Sequence, residues 1–485
     1  MMSTAAKMKT PYTDLGLFLG GVWTAPGERK TQPVINPATE EIIGELPHAG
    51  TADLDRALEL AQSGFAVWRA VDPDERNYIL RRAAGLLLER KEEIARLATL
   101  ESGKPLAQTR IEVIMSAHIF EWYGEEGRRA YGRVLQQGRP GTRMYVVKEP
   151  VGPVAAFAPW NFPLGNPARK LGAALGAGCS VILKPAEETP ASALEVARCL
   201  QDAGVPDGVF SVVFGVPAEV SGYLLASPVI RKMSFTGSVP VGKSLMRLSA
   251  DNMIRTTMEL GGHAPVLVFD DVDLDSVMDQ SVTAKFRNAG QVCVSPTRFF
   301  VHESHYHKFV QGFSERVKQL TVGNGLDENN AMGPLIHARR LQAVEAVIDE
   351  AVAQGAKVQT GGKRLDGPGY FYAPTVLSDV PTTARIMNDE PFGPVAIINP
   401  FSDYDAVIRE ANRLPYGLAA FAFTNSARRC KLVGQQLEAG MVGVNTYAIS
   451  VPASPFGGIK HSGHGSEEGI EGLDDHMITK FISEA

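Results

Sequence analysis

From Val151 onward, short β-rich runs alternate with apolar helical stretches: VAAFA, SVILK, VFSVVF and IRKMSF are separated by helical segments of about ten to fifteen residues. A helix between two strands carries the chain back to the end of the sheet where it started, so consecutive strands run the same way. The alternation therefore predicts an α/β fold with a parallel sheet covered by helices. A second unit with the same grammar opens near Gly261 with APVLVF. It continues through a helix from Asp273, TRFFVH and a helix from Ser304, and alternates on to MVGVN at Met441. A chain of 485 residues is long enough for several such units. The boundary is expected at Glu259-Leu-Gly-Gly, where paired glycines end a strand without a disordered linker, which predicts a cleft between two lobes rather than a flexible tether.

Ahead of the alternation, Ala52 to about Gly132 carries apolar residues at spacings of three and four, in ADLDRALELAQSGFAVW, DERNYILRRAAGLLLERKEEIARLA and IEVIMSAHIFEWYGEEGRRAYG. That period predicts helices. Residues 133–149 and the closing DDHMITKFISEA lie outside both lobes as extended arms, and unpaired strands of this kind commonly pair with a second subunit. A net charge of −6 with scattered basic residues gives no field for a phosphate backbone, so nucleic acid is not an expected partner. The opening MMSTAAKMKT has no apolar core, and the uncharged run from Leu171 to Leu183 is too short to span a bilayer, so no membrane segment and a cytoplasmic location are expected. The four cysteines form no CxxC pair, and His302, His305 and His307 straddle a strand end and helix start as a surface cluster. Neither a disulfide framework nor a metal site is expected.

The chemistry must then rest on single thiols. FRNAGQVCVSPTR places Cys293 after a Gly-Gln turn and before a strand, where a thiol can face a cleft. Cys179, in AGCSVILK, and Cys199, within a helix, fit the role of small buried apolar residues. Glu259, in MELGG, ends a strand where a carboxylate is costly to bury. Alone it fits a surface or capping residue equally well; beside a cysteine it suggests acyl chemistry with a base to activate water. Asn161, in APWNFPLGNPARK, sits at a strand-to-helix turn, where its amide can cap the helix or donate to a developing oxyanion.

A hydride acceptor completes the set. SVILKPAEETP ends a strand with Lys184 and sets Glu187 just beyond, where both can reach ribose hydroxyls at the carboxyl edge of the sheet. A glutamate there repels a 2′-phosphate, favouring NAD over NADP. In SFTGSVPVG, Gly237 and Gly242 join strand to helix and allow close approach of a pyrophosphate to the helix N-terminus, although no GxGxxG occurs in the chain.

From INPATEE at Ile35 to SGHGSEEG, the chain resembles the aldehyde dehydrogenase superfamily, with PWNFP, KPAEETP, FTGS, MELGG, GQVC, NDEPFGP and PFGGIKHSG in family order. The resemblance implies a Rossmann-like NAD-binding domain from 1–132 and 150–258, an α/β catalytic domain from 259–445, and a small β oligomerisation arm from 133–149 and 466–485. A homo-oligomer, dimer or tetramer, is implied with it. Carried over, Cys293 is the nucleophile, Glu259 the deacylation base, and Asn161 with the Cys293 amide the oxyanion site; Lys184 completes the catalytic set. Trp160, Lys184, Glu187, Gly237 and Ser238 hold NAD, Gly215 lies near the adenine, and Glu390 and Phe392 hold the nicotinamide ribose. The implied reaction is thiolate attack on an aldehyde, hydride transfer to NAD and hydrolysis of a thioester, with no metal. Glu259 argues against the CoA-acylating relatives, which generally lack that glutamate.

Relatives acting on simple aliphatic aldehydes tend to carry aromatic groups where this chain has Arg169, eight residues after Asn161, and Arg287, six before Cys293. Two guanidinium groups can form a fork for a carboxylate, and Ser450 can add a hydroxyl. The set is similar to that of succinate semialdehyde dehydrogenases; FRNAGQVCVSPTR and GGHAPV also resemble 2-oxoglutarate semialdehyde dehydrogenases, and structural ion pairs are the competing explanation of both arginines. Glutarate semialdehyde is a further candidate substrate. Some succinate semialdehyde enzymes carry a second cysteine two residues past the nucleophile, where this chain has Ser295, so no local disulfide switch is expected. Two other readings compete: a non-catalytic family member with a structural role, and a cysteine hydrolase, which has no use for the cofactor motifs.

Overall fold

The computed structural model describes residues 12–136 and 140–485. The opening MMSTAAKMKT and residues 137–139 of the expected arm lie outside the described residues. Strand Val154–Phe157 sits between Val181–Lys184 and Lys232–Gly237, with Phe210–Val212 beyond the first and Arg255–Leu260 beyond the second, all parallel. The earliest strand is central: the next two in sequence lie to one side and the last two to the other. The order reverses there, leaving a crevice at the carboxyl ends of Val154–Phe157 and Lys232–Gly237, the place where open α/β sheets bind ligands. Val181, Ile182 and Leu183 are fully buried, which explains why this strand reads as a continuous apolar run rather than an alternating one. Burying each such side chain is worth roughly 1.5–3 kcal/mol. Hairpin Leu17–Leu19 and Val22–Thr24 extends one edge, and Gly463–His464 pairs antiparallel with Arg255–Leu260 at the other, making eight strands.

Helices Thr51–Trp68, Pro73–Glu89, Lys91–Ser102 and Leu106–Gly127 precede this sheet. The run DERNYILRRAAGLLLERKEEIARLA, read as continuous, is two helices broken at Arg90, whose φ of −91° and ψ of 12° end the first. Glu92 and Glu93 then occupy the first turn of the next helix, where negative charge complements its dipole, and Arg90 is drawn off to Asp202 at 2.6 Å.

The second sheet has seven strands in the order Lys357–Thr360, Thr375–Ser378, Val395–Phe401, Pro296–His302, Ala264–Val268, Ala419–Phe423 and Met441–Val444. It is parallel except at the Lys357–Thr360 edge. Each large sheet has its own apolar core. Glu259 falls inside the last parallel strand of the first sheet rather than opening the second lobe. A third sheet pairs Met477–Glu484 along its whole length with Arg143–Pro150, and the latter with Arg133–Leu135. Phe481 and Val134 stand exposed on it at 56% and 72%. Among the described residues no helix is long and apolar enough to cross a membrane.

Candidate active site

Asn161 follows the central strand of the first sheet, and its backbone carbonyl is held by two donors. Its carbonyl accepts from Lys104 Nζ at 2.9 Å and Asn288 Nδ2 at 3.0 Å. Lys104 is ion-paired with Glu112, both nearly inaccessible, and Glu112 Oε1 accepts from the amides of Leu164 and Gly165 at 2.9 and 3.1 Å. This carboxylate therefore caps helix Gly165–Ala177 in place of a local capping residue. The Asn161 side chain donates from Nδ2 to the Gln291 carbonyl at 3.2 Å and keeps a second N–H for the cavity.

Cys293 is presented by a turn of unusual backbone. Asn288, Ala289 and Gly290 have φ of 50°, 52° and 70°, a left-handed succession that costs non-glycine residues energy and persists only where neighbours hold it. Gln108 accepts from the Asn288 amide at 2.9 Å, Asn288 Nδ2 also reaches the Gln291 carbonyl at 3.2 Å, and Gln291 Oε1 accepts from the Ile336 amide at 3.0 Å. A side chain at Gly290 would sit 2.1 Å from the Gly393 carbonyl oxygen, so the glycine of AGQVC is a steric requirement.

The turn and the strand ends surround a cavity of about 930 Å³, in which Cys293, Glu259, Asn161, Trp160, Gly237 and Ser238 meet Glu390, Phe392, Arg169, Arg287 and Ser450. Glu259 is 2% exposed, and neither of its carboxyl oxygens has a hydrogen-bond partner among the described residues. Burial, and then the charge of Glu467, push its pKa well above the carboxylate range, while Arg169 and Lys170 pull the other way. Burial likewise raises the Cys293 thiol well above its ordinary value, reinforced by Glu259 and opposed by Arg169. The Cys293 thiol therefore holds its proton at neutral pH in this state.

Lys184, Glu187 and Gly215 lie outside that cavity and contact one another: Lys184 pairs with Glu187, which accepts from the Gly215 amide at 3.4 Å. They sit at the carboxyl ends of Val181–Lys184 and Phe210–Val212, on the same edge of the sheet as Gly237 and Ser238. Helix Val239–Ala250 starts after Ser238 with no side-chain cap, so the amides of Val239 and Val241, on either side of Pro240, can face an anion. Glu390 accepts from the Gly262 amide at 3.3 Å, and its oxygen comes so close to Gly261 that a Cβ there would lie 2.2 Å away. Burial raises this carboxyl to about 8. Trp160 meets Phe392 edge to face, with centroids 5.6 Å apart. Uncapped amides, paired lysine and glutamate, and a buried carboxyl along one edge fit the pyrophosphate and the two riboses of a dinucleotide.

The two arginines differ. Arg169 Nε donates to Glu468 at 2.8 Å and Nη2 to Ser450 Oγ at 3.0 Å, and its guanidinium covers the Phe456 ring at 4.2 Å. Burial opposes its charge, and Glu468 and Glu467 outweigh that and raise its pKa. Arg287 lines the same cavity and, among the described residues, its side chain forms no ion pair or hydrogen bond; its guanidinium lies 5.6 Å from the Phe162 ring centre. Sequence reasoning missed Glu468, Glu467, Lys170 and the Lys104–Glu112 pair. Glu467 and Glu468 stand within SGHGSEEG, but the pairing of Lys170 with Glu467 spans 297 residues and carries no local signal. His302 caps the helix that follows it, with Nδ1 accepting from the Ser304 amide at 3.4 Å.

A doubly wound dinucleotide sheet facing a thiol, a carboxyl and an amide across an interlobe cavity is the architecture of a nicotinamide-dependent oxidoreductase. The chain belongs to the aldehyde dehydrogenase family, whose model matches residues 23–482. It is 50% identical over 467 residues to the 4-(hydroxymethyl)benzenesulfonate dehydrogenase TsaD1 of Comamonas testosteroni, covering 96% of this chain and 97% of that one. It is 41% identical over 465 residues to the NADP-type succinate-semialdehyde dehydrogenase GabD of Escherichia coli strain K12, covering 96% of each. The crystal structure of succinate-semialdehyde dehydrogenase from Burkholderia pseudomallei superimposes with a TM-score of 0.95 at 42% identity, covering 97% of this chain and 98% of that one.

Proposed function

We propose that this aldehyde dehydrogenase oxidises a small anionic aldehyde with NAD, with succinate semialdehyde as the lead substrate and glutarate and 2-oxoglutarate semialdehydes in the same class. The observation that carries the reading is the convergence of Cys293, Glu259 and Asn161 in one cavity with Arg287, whose side chain has no ion pair among the described residues. An aromatic aldehyde bearing a sulfonate is the second reading. Apolar walls at Ile111, Met115, Phe162 and Phe456 favour it, as does the relative at 50% identity named for a benzenesulfonate.

In this reading Cys293 Sγ, once it has lost its proton, adds to the aldehyde carbon, and Arg169 lowers the cost of that thiolate. The free N–H of Asn161 and the Cys293 amide donate to the oxygen on which charge develops. NAD, which the residues named below would hold, would supply the acceptor for the hydride that leaves that carbon. Glu259, ionised, takes a proton from water as the water oxygen attacks the thioester; the C–S bond breaks, and the sulfur leaves as thiolate. Aldehyde, water and oxidised cofactor give carboxylate, reduced cofactor and two protons. Lys184, Glu187, Gly215, Gly237 and Ser238 bind the cofactor, Glu390, Phe392 and Trp160 position its nicotinamide half, and the Glu187 carboxylate disfavours a 2′-phosphate. The arms 133–149 and 466–485 make the enzyme a homo-oligomer in this proposal, and its place of action is the cytoplasm.

The test is steady-state formation of reduced cofactor from succinate semialdehyde, a formylbenzenesulfonate and uncharged butanal, with NAD and NADP in parallel, in wild type and Arg287→Ala. The expected result is preference for the anions, lost in the variant. An enzyme that prefers butanal, or a variant that loses all three substrates alike, overturns the substrate class.

A further inference from the structure

Glu468 has backbone angles of 58° and 179°, a region occupied essentially by glycine alone. It is held there by its amide, which donates to Tyr123 Oη at 2.7 Å, and by its carbonyl, which accepts from Gly472 at 2.9 Å. Glycine would relieve that strain, so the retained side chain calls for a reason. The side chain is 1% exposed and reaches the Nε edge of Arg169, while its second oxygen faces Ser450 Oγ at 3.5 Å. Nε and Nη2 form the edge of a guanidinium that takes a carboxylate in two parallel hydrogen bonds. In Arg169 one half of this edge is engaged by Glu468 and the other by Ser450, and one face of the group lies over Phe456.

We propose that Glu468 is a specificity-determining residue: it withdraws Arg169 from anion recognition, leaving Arg287 as the single cation that receives the negative end of the substrate. The proposal rests on the anionic-aldehyde reading above. Glu468 offsets the charge of Arg169 and Glu112 that of Lys104, so among the described lining residues beside Cys293 and Phe162 it is Arg287 that keeps a positive charge without an ion pair, while Arg339 and Arg340 lie by His337 and Glu390. Such a cavity matches one anionic group on an otherwise apolar body. A second anionic group beside it would meet Glu468.

Two variants test this, Glu468→Gln, which keeps the volume and removes the charge, and Glu468→Gly, which relieves the backbone and guards against a folding artefact. Glu468→Gly frees the Nε half of that edge and Glu468→Gln removes the charge that holds it, while Ser450 still accepts from Nη2, and a new charge-assisted hydrogen bond from Nε predicts a rise of about tenfold or more in kcat/KM for succinate semialdehyde relative to butanal, carried by KM. In the Arg287→Ala background, Glu468→Gln restores part of the lost preference for the anion. Unchanged ratios in both variants overturn the proposal, and so does a fall, which would make Glu468 a buttress that Arg169 needs in order to bind. If wild type itself shows no preference for the anion, the substrate class has failed, and this proposal with it; that failure is read in wild type and is distinct from a failure confined to the Glu468 variants.

Discussion

Replacing Glu259 by glutamine tests the division of labour in the cavity. The substitution conserves shape, and since neither carboxyl oxygen has a partner among the described residues, it breaks no hydrogen bond in the resting protein. What it removes is the base. A positioned general base contributes about 10²–10⁴ in rate, or roughly 2.7–5.4 kcal/mol of barrier. The reading assigns that base to thioester hydrolysis, after hydride transfer. The expected outcome is a steady-state kcat lowered by about two to four decades, with a retained burst of about one equivalent of reduced cofactor per subunit in rapid mixing. The pH profile carries an independent sign. Burial raises the Glu259 pKa, so its carboxyl must lose a proton to work, and wild-type kcat climbs as pH rises through that raised value. The glutamine variant lacks this limb. Loss of the burst in proportion to kcat would refute the reasoning, because it would place Glu259 before hydride transfer.

Arg287→Ala is expected to lower kcat/KM for succinate semialdehyde by about tenfold to a hundredfold, the loss of a hydrogen bond to a charged group, with a much smaller effect on butanal. Glu187→Ser removes a carboxylate held by Lys184 and Gly215, and the NAD to NADP ratio of kcat/KM should fall at least several-fold; an unmoved ratio refutes that role. For Cys293, whose thiol is held protonated chiefly by burial, the rate of alkylation by iodoacetamide should increase with pH beyond the range of an ordinary thiol, followed by mass spectrometry. Phe481→Asp places a charge at an exposed aromatic position of the third sheet and should shift the protein to a smaller species in size-exclusion chromatography; an unchanged elution volume removes that position from the interface.

The alternation of strand and helix from Val151 was sufficient for the α/β class and the two large sheets, because a strand buried on both faces must be apolar throughout and a crossover helix must follow it. Cys293, Glu259 and Asn161 were legible because each sits on a short local pattern, a glycine turn or a strand end. The break at Arg90 was not, since both flanking segments keep helical period and only backbone angles and a contact with Asp202 divide them. Nor could the sequence by itself distinguish Arg169 from Arg287. Both were read as halves of one fork for a carboxylate, yet Glu468, 299 residues from Arg169, engages one and leaves the other open. Local chemistry is written in neighbouring residues, whereas net charge in a cavity depends on which distant carboxylates the fold brings within hydrogen-bonding reach, and the tertiary structure alone decided that.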